Sequence, residues 1–397
     1  MPVSRLCSTP TAVYKANSAL RVEHVKMRLG WGWGIFDMEA PIPPREQGRT
    51  LAPLRRMERQ YASIQYMRGG AAMTILVVHS FMPVFDPIRN LGSVISLFFL
   101  ISGFLVIAIT SDATRPHRFL LARIRRIVPL YWILTGLAAI LLWGGVSWQS
   151  PIPFWYIYSY DPPLPWRFIT ASLAFVPAWN QGAGTIQPVI PAGWTVNLEM
   201  LYYAIFALLL YLPRRWLMPV LTMAISMLAL IGIFNRPDQL ALWAWTHPIG
   251  LDFLIGAWIG HAWQTHGNMW RVLGWCSLSV MTVLLLRAIM GHFDPVIFAA
   301  LFGPLFGVLF VAVIRAEEVG AGIRAARLPM LIGNASYAIY LMQFVVMLML
   351  DLAGVPHGLG FGLAEFTLTI LSGIAVHMLM EEPLLRLMGR KPIGSSG

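Results

Sequence analysis

The sequence predicts an all-α, polytopic integral membrane protein with about ten transmembrane helices in one bundle and both termini in the cytosol. Three observations carry this. Charged residues make up 12% of the 397-residue chain, about half the roughly 25% of a soluble domain. Apolar residues make up 57% and gather in runs of about twenty, the length a helix needs to cross a hydrocarbon core of about 30 Å. No alternating strand pattern of about ten residues competes, so helices are how these runs satisfy their backbone in lipid.

A formal charge of +11 raises the question of nucleic acid. The bases sit in short segments between apolar runs and form no basic domain, which is the pattern of membrane topology signals. Nucleic acid is therefore not an expected partner. Cys7 and Cys276 are the only cysteines, and they provide neither a disulfide framework nor a thiolate metal site.

Residues 1–60 mix Pro, Arg and small residues around GWGWG and contain no run long enough for a signal peptide or a span. They predict a basic, disordered cytosolic extension ahead of one membrane domain at 61–397. Met57 stands close enough to that domain to be an alternative start. Spans are expected at 67–85, 92–110, 127–144, 194–212, 216–234, 246–263, 272–290, 295–314, 329–351 and 361–380. With the N-terminus in the cytosol, only Arg89, Arg167, Arg236 and Arg287 of the 29 Lys and Arg residues fall on or near the opposite side. That asymmetry places both termini inside, and the expected location is a cell inner (cytoplasmic) membrane.

The largest outer segment, 145–193, contains FITASLAFVPAW at 168–179. This piece is too short to span and should lie in the interface or re-enter as a lid. Gly256 with Gly260, and Gly303 with Gly307, are spaced for close helix packing. No internal repeat is visible, unlike transporters built from duplicated halves.

The stretch QYMRGGAAMTILVVH at 65–79 opens the first apolar run with Arg68 and seats His79 within it. Both groups are expensive in hydrocarbon and ask for a reason. Eleven residues apart on a helix, they share a face about 16 Å apart along the axis. They are expected to look into one groove between helices. A neutral imidazole takes a proton from a hydroxyl and returns it to a leaving group near neutral pH; a histidine hydrogen-bonded across helices is the structural alternative. Glu199, in GWTVNLEMLYYAIF, reaches a comparable depth about 9 Å into a span entered from outside. A carboxylate there would orient the imidazole and stabilise its protonated form, or would simply hold the bundle together. Arg123 and Arg126 of FLLARIRRIVPLYW share a helix face at the inner mouth of the third span. Their forks suit the phosphates of coenzyme A, although the positive-inside rule accounts for the same arginines without a ligand. Ser102 lacks the GxSxG context of an acyl-bearing nucleophile, and no metal ligand set is expected.

Taken in order, IQYMRGGAAMTILVVH, LFFLISGFL, FLLARIRRIVPLYW, GWTVNLEMLYY, DFLIGAWIG, SYAIYLMQF and EEPLLRL resemble the membrane-bound acyltransferase 3 family over about Ile64 to Leu387. IQYMRG is similar to the branch that decorates bacterial exopolysaccharides. The resemblance implies ten spans, no permanently bound cofactor, and an acyl-CoA, acetyl-CoA first of all, as co-substrate. It implies transfer to hydroxyls of a polysaccharide or lipid-linked glycan, cellulose or another exopolysaccharide included. By matched position it assigns the catalytic role to His79 with Arg68, and support to Arg123, Arg126 and Glu199. Membrane lipids and polysaccharide synthase subunits are the implied neighbours. Two positions depart from the family pattern. Gln343 stands where a histidine usually follows SYxxYL, and Ser96 where an acid often precedes LFF. A glutamine cannot shuttle a proton, so two other classes stay open: a non-catalytic transporter or flippase, and a scaffold subunit of a polysaccharide synthesis and export complex.

Overall fold

A computed structural model of the chain describes residues 61–82, 84–143, 164–180, 185–235, 244–289, 302–320 and 326–388. The expected extension at 1–60, with Cys7 and Met57, lies outside the described residues, as do 144–163 and the start of the eighth expected span.

The described fold is helical, and the described part of each expected span overlaps a helix. The first is α1, Ala62–Phe81. Its opening N–H groups have no local side-chain cap and are satisfied from a distant helix. Glu317 accepts the Ala62 N–H at 2.8 Å, the Ser63 N–H at 3.3 Å and the Ser63 hydroxyl. A carboxylate at a helix N-terminus answers both its orphan donors and its dipole. A 3-10 segment, Asp86–Val94, then turns the chain back into α2, Ile95–Ala108. The third helix, α3, Pro116–Trp143, begins on a proline, where a missing N–H costs nothing, and carries Pro129 in its interior.

The half-length piece of the outer segment forms α4, Trp166–Leu173, too short to span as the sequence predicts. It is docked on α3: the Tyr131 hydroxyl donates to Ser172 O at 3.2 Å and the Trp132 indole N–H to Leu173 O at 2.8 Å. A minimal antiparallel pair follows, β1 Trp179–Asn180 against β2 Thr185–Ile186. Then come α5 Gly193–Leu209, α6 Arg214–Asn235, α7 Gly250–Gln264, α8 Met269–Ile289 and α9 Phe302–Glu318. The chain closes with α10 Arg327–Leu352 and α11 Leu359–Val376. A π-helical turn, His377–Glu381, leads from α11 into the short α12, Glu382–Leu387.

Five stretches among the described residues are long and apolar enough to cross a membrane: Leu91–Ala108, Pro116–Leu142, Arg214–Phe234, Arg327–Leu352 and Leu359–Leu387. Their outward faces support that reading. Ile140, Leu208, Met223, Leu305, Leu371 and Leu379 are each at least 60% exposed, an apolar surface that water would not tolerate and lipid requires. The protein is thus a multi-pass membrane protein. At its centre runs α10, buried on all sides from Ala338 to Leu348, as expected of an inner helix. It packs on α1, α3 and α11.

The closest helix pair is α2 with α7. A methyl group placed on Gly103 would overlap the Phe253 carbonyl, and one on Gly256 would overlap that of Leu100. Backbone therefore lies directly on backbone, as the small-residue spacing predicts at Gly256. We expect Gly256→Ala to lower stability by about 1–3 kcal/mol through overpacking. Gly136→Ala, whose added methyl meets nothing within 4 Å, should leave stability unchanged or slightly raised. Thermal unfolding of the detergent-solubilised variants reads both, and equal melting temperatures would contradict the backbone contact.

Candidate active site

Two adjoining cavities among the described residues bring the singled-out side chains together. The first, about 80 Å³, is lined by Arg68 of α1, Phe98 and Ser102 of α2, Arg123 and Arg126 of α3, Glu199 and Tyr203 of α5, and Ser336, Tyr337 and Tyr340 of α10. The second, about 310 Å³, is lined by His79 of α1, Trp194 and Asn197 of α5, Tyr340 of α10, Gln187, Trp245 and His247. Ile95 and Tyr340 line both.

In the first cavity Glu199 is held by two hydroxyls. Its Oε1 accepts from Ser102 Oγ at 2.6 Å and from the Tyr203 hydroxyl. Helical spacing brings the second partner: 199 and 203 are one turn apart on α5. The Tyr203 ring in turn carries Arg123, whose guanidinium lies 4.8 Å from its centroid and 5.3 Å from that of Phe119, a turn earlier on α3. Such stacking suits a weakly hydrated planar cation, and Arg123 is only 3% exposed. The predicted pair of forks at 123 and 126 does share one cavity. Arg123 is sunk within it rather than displayed at an open mouth, while Arg125 faces outward. Three guanidinium groups against one carboxylate leave the cavity cationic and suited to an anionic ligand. At about 80 Å³ it is below the roughly 300–1,000 Å³ of most ligand pockets, so it has room for the narrow end of a ligand.

The sequence places Arg68 and His79 in one groove, and Glu199 beside the imidazole. The structure corrects both. Arg68 and His79 are on α1 but line separate cavities, divided at Ile95 and Tyr340. Tyr340 is tied in place, its hydroxyl 3.0 Å from Thr195 Oγ1 and donating to Ala192 O at 3.3 Å. Glu199 faces the arginine cavity with Thr195 and Tyr203, whereas His79 shares its cavity with Trp194 and Asn197 from the other side of α5. Residues 197 and 199 point about 200° apart on a helix. Azimuth about the helix axis was not legible.

These polar residues fall within a recognised sequence family. The family described as an acyltransferase domain, acyltransferase 3, matches residues 61–381, which contain both cavities. The chain belongs to that family. It is also similar to the exopolysaccharide production protein ExoZ of Rhizobium meliloti (strain 1021), 34% identical over 74% of this chain and 89% of that protein. Acyltransferase MdmB of Streptomyces mycarofaciens is 26% identical over 77% of this chain and 84% of its own length. No solved structure matches. The protein is accordingly an acyltransferase.

In this acyltransferase the departure at 343 lies beside His79, whose imidazole the Gln343 carboxamide faces. A donor–acceptor amide replaces a second titratable ring there. The other departure, Ser96, faces the buried carboxyl of Asp252 on α7. An acid is therefore present beside that position, supplied by another helix. Sequence reasoning missed Tyr203, Tyr337, Tyr340 and His247 as lining residues. The signal for Tyr340 was available, since Ser336, Tyr340 and Gln343 in SYAIYLMQF are spaced by four and three and so share one face of α10. Among the described residues, no group of three His, Cys, Asp or Glu is placed to hold a metal ion.

Glu199 is the one carboxylate set among three arginines, so its removal leaves like charges facing one another. We expect Glu199→Gln to cost about 3–5 kcal/mol. Adding Arg123→Met should recover part of that loss, a coupling of about 0.5–3 kcal/mol in a double-mutant cycle. Strictly additive losses in thermal unfolding would show that the two groups do not share an environment.

Proposed function

We propose that the chain is a ten-span O-acyltransferase of the bacterial inner membrane, with both termini cytosolic. It moves an acyl group, acetyl first of all, from a coenzyme A thioester to a hydroxyl of an exported polysaccharide. The observation that carries this reading is the pair of cavities meeting at Ile95 and Tyr340, cationic on one side and carrying His79 on the other. The similarity to a protein named for exopolysaccharide production supports the choice of acceptor.

In this reading Arg68, Arg123 and Arg126 attract the anionic donor, and the narrow first cavity admits the thioester end of its arm. The acceptor hydroxyl occupies the second cavity. His79 removes its proton as the oxygen attacks the thioester carbonyl; the C–S bond then breaks, and the imidazolium returns the proton to the departing thiolate of coenzyme A. Gln343 faces the imidazole and orients it. Glu199 supports the reaction from the donor side, holding Ser102 and Tyr203 and balancing the arginines. Residues 61–397 form the catalytic unit, and polysaccharide synthase subunits are its natural neighbours in the membrane.

Membranes given radiolabelled acetyl-CoA test the reading. His79→Ala should cut label entering the glycan by about 10²–10⁴-fold, the usual worth of a general base, with export of the glycan intact. Lost export with undiminished labelling would instead mark a transporter. Labelling and export that both survive His79→Ala and Arg68→Ala but fail on deletion of the protein would mark a scaffold.

A further inference from the structure

From the lining of the second cavity we infer that it is a subsite for an uncharged sugar ring, with Asn197 and Gln187 as its specificity-determining residues. The inference rests on the acyl-transfer reading for the role of His79, but not for the chemistry of the walls. Among the described residues those walls contain no Lys, Arg, Asp or Glu. Two indoles, Trp194 and Trp245, offer flat apolar faces of the kind on which the C–H face of a pyranose packs. The cavity, about 310 Å³, lies at the lower end of the range for small-ligand sites.

The polar groups are hydroxyl-binding in type. Asn197 Oδ1 and Gln187 Nε2 are buried and make no hydrogen bond among the described residues. An acceptor and a donor left in that condition are each costly, and a sugar hydroxyl answers either, since it both donates and accepts. Asn197 is one helical turn after Trp194 at the start of α5, so the carboxamide and the indole face the same space. Gln187 is held by its backbone, its N–H donating to Ala178 O at 3.2 Å. His247 completes the set. Its Nδ1 accepts the Ile249 N–H at 3.2 Å, so the neutral ring carries its proton on Nε2. Its ring centroid lies 5.2 Å from that of Trp194.

A carboxylate or phosphate on the sugar would find no Lys or Arg among the described residues of these walls. The subsite should therefore reject uronic acids and phosphorylated sugars that are otherwise alike.

The test is titration calorimetry of the full chain in lipid nanodiscs, without acyl-CoA, using a neutral gluco-oligosaccharide and the matching oligoglucuronate. Saturable binding of the neutral probe is expected, at least 10-fold tighter than the charged one. Asn197→Ala and Gln187→Leu should each weaken neutral binding about 10-fold or more while leaving the charged probe unchanged. The second variant keeps the side-chain volume and serves alone if the first does not fold. Equal binding of the two probes, absent binding of the neutral one, or wild-type affinity in the variants would overturn the inference. Neutral binding with these dependences but no acetyl transfer would sink the reaction scheme and leave the subsite standing. Acetyl transfer without them would do the reverse.

Discussion

A charge inside an apolar bundle has to be answered by another polar group, and this requirement organises the protein. Three guanidinium groups meet one carboxylate in the first cavity, and that carboxylate is held by hydroxyls from α2 and α5. The same principle joins distant parts of the chain. Glu317 on α9 caps the start of α1, the helix that carries both Arg68 and His79. Arg214 at the head of α6 donates to the Gln264 side chain at 2.9 Å and to Thr110 O at 3.2 Å, closing the end of α2. Lipid supplies none of these partners, so helix positions follow from which polar groups can meet.

Within that frame the two cavities adjoin at Tyr340 and Ile95, which line both. Tyr340 is held by α5 through Thr195 and by the Ala192 carbonyl, and Phe98 of α2 packs on its ring at 6.0 Å. The shared wall is thus built from three helices that each contribute to the first cavity.

The helical, membrane-embedded fold was legible because composition and run length alone demand it. The half-length outer piece was legible as non-spanning by length, and the close approach at Gly256 by spacing. Arg68, Arg123, Arg126 and Glu199 line one cavity, although the sequence places the arginines at the inner mouth and Glu199 deeper, beside His79. What could not be read was rotation about each helix axis. Asn197 and Glu199 differ by two positions and serve different cavities, so placing Glu199 by depth put it beside the wrong partner. Tyr203 and Tyr340 escaped notice because a tyrosine near a membrane surface is ordinary, and only packing shows their hydroxyls turned inward. His247 falls inside the span expected at 246–263, but the helix there begins at Gly250, which leaves His247 in the preceding connection.

The most direct test of the two-cavity account is a cryo-electron microscopy structure of the full chain with a non-hydrolysable acetyl-CoA analogue. The account predicts phosphate density toward Arg68, Arg123 and Arg126, with the acyl end against Tyr340 and turned to His79. An analogue bound outside the arginine cavity, or lying in the Trp194 cavity with its acyl group pointing away from His79, would contradict it.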